Sequence, residues 1–137
     1  MPIFASPATQ LLGRLLLAII FIMGGLGKIS AMDGTIAYIA KSGMPFPSIA
    51  YGASVLIELG GGLAILAGLF TRPVAFVMAV FCVVTGVMFH LAVGDGPNMI
   101  NFYKNLAMAG GFLQLAAVGA GAWSVDGWLA SRSIKTR

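Results

Sequence analysis

The sequence predicts an all-α integral membrane protein, a bundle of four transmembrane helices. Of its 137 residues, 59% are hydrophobic and only 9% are charged, whereas a soluble domain carries about 25% charged residues. The apolar residues occur in runs of about 20, the length that crosses a hydrocarbon core of about 30 Å as a helix. Such runs differ from the short alternating segments of a transmembrane barrel. We therefore expect residues 1–137 to form a single helical domain.

The first predicted helix covers about residues 11–29. Its apolar run contains Arg14 and ends in a glycine-rich segment just before Lys28. Residues 29–48 mix charges, glycine and proline, which is typical of a loop, and a patterned stretch over residues 34–41 predicts a short interfacial helix within that loop.

The second and third predicted helices cover about residues 49–70 and 73–93. Glu58 lies inside the second helix, and His90 lies late in the third. The two helices are expected to form an antiparallel hairpin, because Pro73 suits the first turn of a helix while the residue before a proline resists continuing one.

The fourth predicted helix covers about residues 105–123. Residues 94–104 precede it and contain strong turn chemistry. A basic tail follows, and Trp123 and Trp128 lie where an interfacial aromatic belt would be.

Basic residues indicate the orientation of the bundle. The tail, Arg72 and Arg14 are predicted to lie at the same side of the membrane. Because cytoplasmic segments carry an excess of Lys and Arg, we expect both termini in the cytoplasm and the two longer loops outside. The net charge of +4 is then explained by membrane anchoring, and no nucleic-acid partner is expected.

The sequence contains no motif for a nucleotide, a metal or covalent haem. Cys82 is the single cysteine, so neither an internal disulfide nor a thiol redox pair can form within the chain. We expect no metal and no nucleotide cofactor.

Polar residues from all four predicted helices converge on the outer half of the bundle. Ionisable groups inside a membrane are costly and commonly functional. At 1.5 Å rise per residue, Glu58 lies about 13 Å below the outer surface. Lys28, His90 and the adjacent Lys104 and Asn105 lie nearer to that surface. This convergence predicts a polar site with one contribution from each helix.

Each member of the cluster allows more than one interpretation. A buried Glu58 carboxylate must find a cation, either Lys28 or Arg14, or exchange a proton with a ligand. His90 either bonds to a loop carbonyl or takes part in proton exchange. Arg14 is expected to extend towards the cytoplasmic interface. The glycines of three helices favour close helix packing and are compatible with a homodimer.

Several segments together resemble the DoxX family of small four-helix bacterial membrane proteins. They are RLLLAIIFIMGGLGK, which ends in Lys28, ELGGGLAILAGLFTRPVA, which begins at Glu58, His90, FYKNLAMAGGFLQL, and the closing WSVDGW. The resemblance implies a multi-pass protein of the bacterial inner membrane. It also implies a link to quinone-dependent oxidoreductase systems, which include the membrane part of thiosulfate:quinone oxidoreductase.

On that resemblance, Lys28, Glu58, His90, Lys104 and Asn105 would bind a quinone headgroup in an outer-leaflet cavity. Glu58 and His90 would be the catalytic residues that exchange protons, and a soluble or membrane redox partner would deliver electrons. Two alternatives remain open: a carrier of small molecules or lipids, and a non-catalytic module that docks soluble redox enzymes at the membrane. Whether the chain is itself an enzyme is left open.

Overall fold

The structure is a computed structural model that describes residues 6–91 and 98–135, and within them it contains six helices and no strand. The helices are α1 (Pro7–Ser30), α2 (Met32–Lys41), α3 (Pro47–Ala67), α4 (Thr71–Leu91), α5 (Met99–Val118) and α6 (Val125–Lys135). By length and composition α1, α3 and α4 can each cross a membrane, and α5 is a fourth long helix of 20 residues. The all-helical membrane fold is confirmed.

The bundle is built from two helix pairs, α1 with α3 and α4 with α5. Their buried apolar side chains form one cluster. At its centre the rings of Phe21 and Phe112 meet edge to face, with centroids 5.2 Å apart. Small buried residues such as Ala18, Ala79 and Ala109 allow the helix backbones to approach closely, which is how membrane helices gain packing energy.

The fourth long helix differs in its bounds from the prediction of residues 105–123. It begins at Met99, because the Asn98 side chain accepts a hydrogen bond from the backbone N–H of Asn101 at 3.3 Å and so caps the helix start. It ends before Gly119, whose φ of 86° takes the chain out of the helix. The tail expected to follow it contains a helix of its own, α6.

The other helices lie close to their predicted positions. The first begins at Pro7, four residues earlier than expected, and the second ends at Ala67, before a turn. The short helix predicted over residues 34–41 is present as α2, and it packs against the start of α3. Residues 92–93, predicted to end the third helix, lie outside the described residues.

Arg14 is buried at one end of the bundle, with 1% of its surface exposed. Its guanidinium donates to the backbone carbonyl of Leu66 at 3.3 Å and to that of Trp123. It therefore does not extend to the membrane interface as expected. Gly68 makes room for it, since a Cβ at this position would lie 2.0 Å from Arg14 Nη1.

Asp126 ties α6 to the turn between α3 and α4. Its two carboxylate oxygens accept hydrogen bonds from the backbone N–H groups of Phe70 at 2.9 Å and Thr71 at 2.8 Å. Its own N–H donates to the carbonyl of Gly68 at 2.9 Å. Phe70 has a φ of 45°, an unfavourable conformation for a bulky residue. The carboxylate thus helps to hold a strained turn in place.

Opposing effects act on the Asp126 carboxyl. Burial alone raises its pKa, but the hydrogen bonds from Thr71 and Phe70 and the positive charge of Arg14 outweigh burial, so its pKa lies below the ordinary value. A carboxyl whose pKa is lowered by folding stabilises the folded state above the unfolded pKa, and that contribution is lost as the pH falls.

Replacing Asp126 with Asn should lower the thermal unfolding temperature in detergent at pH 7 by on the order of 5 °C, because an amide cannot accept charge-assisted bonds at both positions. The difference between wild type and D126N should shrink as the pH falls below the ordinary Asp value of 3.8. Tryptophan fluorescence during heating at pH 7 and pH 3 measures both effects.

Asp33→Asn is the matched control, since Asp33 is exposed in the first turn of α2. We expect it to shift unfolding by less than half as much at either pH. Equal shifts in the two variants would contradict a stabilising role for the Asp126 hydrogen bonds.

Gly25 lies at a close approach of α1 to α3. A Cβ at this position would lie 2.8 Å from Leu59 Cβ and 2.9 Å from the Leu59 backbone N, whereas a Cβ at Gly27 would have no neighbour within 4 Å. Gly25→Ala should therefore lower the unfolding temperature, while Gly27→Ala should leave it unchanged or raise it slightly, because Ala favours helix by about 1 kcal/mol. The reverse order would show that α1 and α3 do not pack this closely.

The described ends of the chain lie at the same end of the bundle, because Arg14 of α1 bonds to Trp123 just before α6. Their cytoplasmic location remains a prediction from the basic residues. A fluorescent protein fused after Arg137 should fluoresce, and an alkaline phosphatase fused there should be inactive. An active phosphatase would place this end outside the cytoplasm.

Candidate functional site

A cavity of about 520 Å³ lies at the end of the bundle opposite Arg14, and residues of all five helices from α1 to α5 line it. Most of its wall is apolar or aromatic. The apolar side chains are Ile20, Phe21, Ile39, Met44, Ala50, Ala53, Ile57, Phe81, Val84, Met88, Phe89 and Met108. A concave, mostly apolar cavity with a few polar groups is the usual form of a small-molecule site.

An ion pair lies in the wall of this cavity. The ammonium of Lys28 donates to Glu58 Oε2 at 2.6 Å, and the two side chains are 28% and 12% exposed. Of the two cations considered for Glu58, the structure thus selects Lys28, and Arg14 lies at the other end. Gly24 leaves room for the carboxylate, because a Cβ there would lie 3.4 Å from Glu58 Oε2.

Glu58 and His90 lie on π-helical turns, which widen the helix by one residue per turn. One turn covers Leu56–Gly60 inside α3, and the other covers Val87–Leu91 at the end of α4. π-Helical turns are rare and occur frequently at functional sites. In this protein both such turns among the described residues place an ionisable side chain against the same cavity.

The structure brings together four of the five predicted site residues. Lys28, Glu58, His90 and Asn105 line the cavity, whereas Lys104 is exposed and lies outside it. Consecutive residues of a helix point about 100° apart, so Asn105 and Lys104 cannot both face inwards. Asn105 Nδ2 donates to the carbonyl of Asn101 at 3.1 Å.

His90 is half-buried in the cavity wall. Within residues 6–91 and 98–135, no group forms a hydrogen bond with its imidazole. The predicted bond from His90 to a loop carbonyl is therefore not formed within the described residues, and residues 92–97 of the neighbouring loop lie outside them. The same described ranges hold no group of three or more His, Cys, Asp or Glu side chains placed to bind a metal ion, and Cys82 is buried in the core.

Four hydroxyl groups of the cavity were not predicted from the sequence, those of Thr35, Tyr38, Ser54 and Thr85. A signal was present for Ser54, since it precedes Glu58 by four residues and so lies on the same helix face. The two residues of α2 offered no comparable signal. Their position depends on how α2 folds back over the bundle.

The α2 helix covers the cavity through an aromatic contact. The ring of Tyr38 stacks on that of Phe89 in the π-helical turn of α4, with centroids 5.5 Å apart and an angle of 22° between the planes. Such a contact contributes about 0.5–1.5 kcal/mol beyond buried area. The short helix between the first two spans is therefore part of the site and not merely a connection.

Taken together, the cavity offers an ammonium, a carboxylate and an imidazole beside a large apolar wall. These groups can hydrogen-bond the polar end of a ligand and exchange protons with it. The apolar wall fits a ring or a hydrocarbon chain. The arrangement suits an amphipathic or aromatic molecule.

Similarity to known proteins identifies the family of this chain. The DoxX family model matches residues 9–91, a range that includes Lys28, Glu58 and His90. Inner membrane protein YphA of Escherichia coli (strain K12) is 41% identical over 127 residues, which cover 89% of this chain and 91% of YphA. Inner membrane protein YqjF of the same organism is 43% identical over 119 residues, which cover 85% and 88% of the two chains. No solved structure matches. This chain therefore belongs to the DoxX family and is an integral protein of the inner membrane.

Proposed function

We propose that the protein is a quinone-interacting membrane subunit of an oxidoreductase system. The observation that carries this proposal is the cavity in which the Lys28–Glu58 pair, His90 and Asn105 lie against an otherwise apolar wall. The resemblance of the sequence to a family associated with quinone-linked systems supports the same ligand class.

The cavity fits a quinone by size and by the chemistry of its wall. Its volume of about 520 Å³ lies within the range of about 300–1,000 Å³ usual for small-molecule sites. Aromatic and aliphatic side chains such as Phe21, Phe81 and Phe89 suit the faces of a ring and the start of an isoprenoid chain. The polar groups suit the ring oxygens.

Lys28 is the residue that would orient the headgroup. One proton of its ammonium bonds to Glu58 Oε2, which leaves two for a carbonyl oxygen of the ligand. Lys28 is thus a ready hydrogen-bond donor at the polar end of the cavity.

Glu58 and His90 are the residues that would exchange protons. A quinone, when bound, supplies two-electron redox chemistry coupled to two protons. The second carboxylate oxygen of Glu58 accepts no hydrogen bond from the described residues and can hold a proton that passes to a ring oxygen when the quinone is reduced. The imidazole of His90 lines the same cavity and provides a second group that can exchange a proton with the ligand.

Electrons would come from a partner, which we propose to be a soluble or membrane redox protein. Ionic and hydrogen-bonding side chains move protons but do not carry electrons. The proposed role of this chain is therefore to bind the headgroup and to exchange protons with it.

Binding of a benzoquinone with a ten-carbon chain to the purified protein tests the proposal. In nanodiscs, Lys28→Gln should weaken binding by at least about tenfold, because a hydrogen bond from a charged donor is worth about 1.5–3 kcal/mol. Glu58→Gln should change the affinity severalfold, since it removes the partner that holds Lys28. Quenching of tryptophan fluorescence or native mass spectrometry measures the affinities.

Lys104→Gln is the matched control, because it removes the same charge from a neighbouring helix outside the cavity. It should bind the quinone as the wild type does. Absence of binding to the wild type, or equal losses in the Lys28 and Lys104 variants, would refute the proposal. Passage of the quinone across vesicles without any redox partner would favour the carrier function instead.

A further inference from the structure

We infer that the cavity binds the reduced, hydroxyl-bearing form of its ligand, a hydroquinone, in preference to the quinone. The inference rests on the proposed function and concerns the redox state of the bound ligand. It follows from the donors and acceptors of the cavity that are not used in hydrogen bonds within the protein.

Three hydroxyl groups of the cavity have already used their protons. Thr35, Ser54 and Thr85 each donate to a backbone carbonyl three or four residues earlier in the chain, at 2.9, 2.8 and 2.8 Å. A hydroxyl has one proton and two lone pairs. Towards a ligand these three side chains can therefore act only as acceptors while the internal bonds are kept.

Two further side chains, those of Asn105 and Glu58, also present hydrogen-bond acceptors to the cavity. One Nδ2 proton of Asn105 bonds to the carbonyl of Asn101, and the Oδ1 atom remains available as an acceptor. Glu58 uses Oε2 on Lys28, and its Oε1 bonds to nothing in the part of the chain that the structure describes. A carboxylate has no proton to donate in its ionised state.

Donors in the cavity are fewer. They are the remaining protons of Lys28, the second Nδ2 proton of Asn105, the hydroxyl of Tyr38 and one nitrogen of His90. Because the Tyr38 oxygen and the other nitrogen of His90 also accept, the side chains offer acceptors at seven residues and donors at four. A ligand that both donates and accepts matches this set, whereas a ligand that only accepts leaves most of it unpaired.

The two redox states of a quinone differ in this respect. The quinone has two carbonyl oxygens that only accept, and the hydroquinone has two hydroxyls that also donate. An acceptor that loses water and finds no donor costs more than a formed bond gains. Tenfold tighter binding of the reduced form would raise the potential of the bound two-electron couple by about 30 mV.

Three ligands that share one ring and one ten-carbon chain test the inference under anaerobic conditions. They are the hydroquinone, the quinone, and the dimethyl ether of the hydroquinone, which keeps both oxygens but has no donor. We expect the hydroquinone to bind to the wild-type protein in nanodiscs at least about tenfold more tightly than either of the others.

The outcomes separate the inference from the proposed function. If the quinone binds as tightly as the hydroquinone or more tightly, the preference is overturned while quinone binding stands. If the ether matches the hydroquinone, hydrogen-bond donation is not the cause and the inference fails. If none of the three binds, the proposed function fails as well.

Ser54→Ala and Ser131→Ala form a matched pair of variants. Each removes a hydroxyl that donates to the carbonyl three residues earlier at 2.8 Å, but Ser54 lines the cavity and Ser131 lies on α6. The hydroquinone-to-quinone affinity ratio should fall severalfold in Ser54→Ala and stay unchanged in Ser131→Ala. Thr85→Val, which keeps the side-chain shape, should lower the ratio in the same way. An unchanged ratio in both cavity variants would overturn the inference.

Discussion

Two cations on α1 constrain how the bundle assembles. Arg14 and Lys28 lie 14 residues apart, about 21 Å along the helix, and both are largely removed from solvent. A charge in that environment is costly unless it is bonded. Arg14 bonds to the carbonyls of Leu66 and Trp123, and Lys28 bonds to Glu58. Because α3 supplies a partner at each end, the register of α1 against α3 is determined.

The two ends of the bundle differ in the hydrogen bonds that their charged groups form. At the Arg14 end the guanidinium donates to two backbone carbonyls and Asp126 accepts from two backbone N–H groups, while Arg14 Nε and Thr71 Oγ1 are buried without a partner among the described residues. At the Lys28 end the ammonium retains two protons and Glu58 retains an oxygen, and both groups line a cavity. The first arrangement stabilises the structure, and the second leaves bonding capacity for a ligand.

The features of the fold and site that depend on composition could be predicted from the sequence. The features that depend on tertiary contacts could not. Runs of apolar residues located α1, α3 and α4, and the cost of buried charge identified Lys28 and Glu58. Lys104 was placed with Asn105 because a linear sequence shows proximity and not the 100° between neighbours on a helix. The π-helical turns and the cover formed by α2 carry no sequence pattern, since each depends on packing against another element.

The Lys28 end of the bundle contains features that cost folding free energy, and this cost supports the proposed role in ligand binding. An ion pair in a low-dielectric environment is often no more stable than apolar residues of the same size, and a π-helical turn departs from the preferred helix geometry. Both costs occur around one cavity, whereas the core near Phe112 consists of close-packed apolar side chains. Stability alone would favour extending that core to the end of the bundle. An open cavity whose ion pair keeps free hydrogen-bonding groups fits the proposed role, in which a ligand completes those hydrogen bonds.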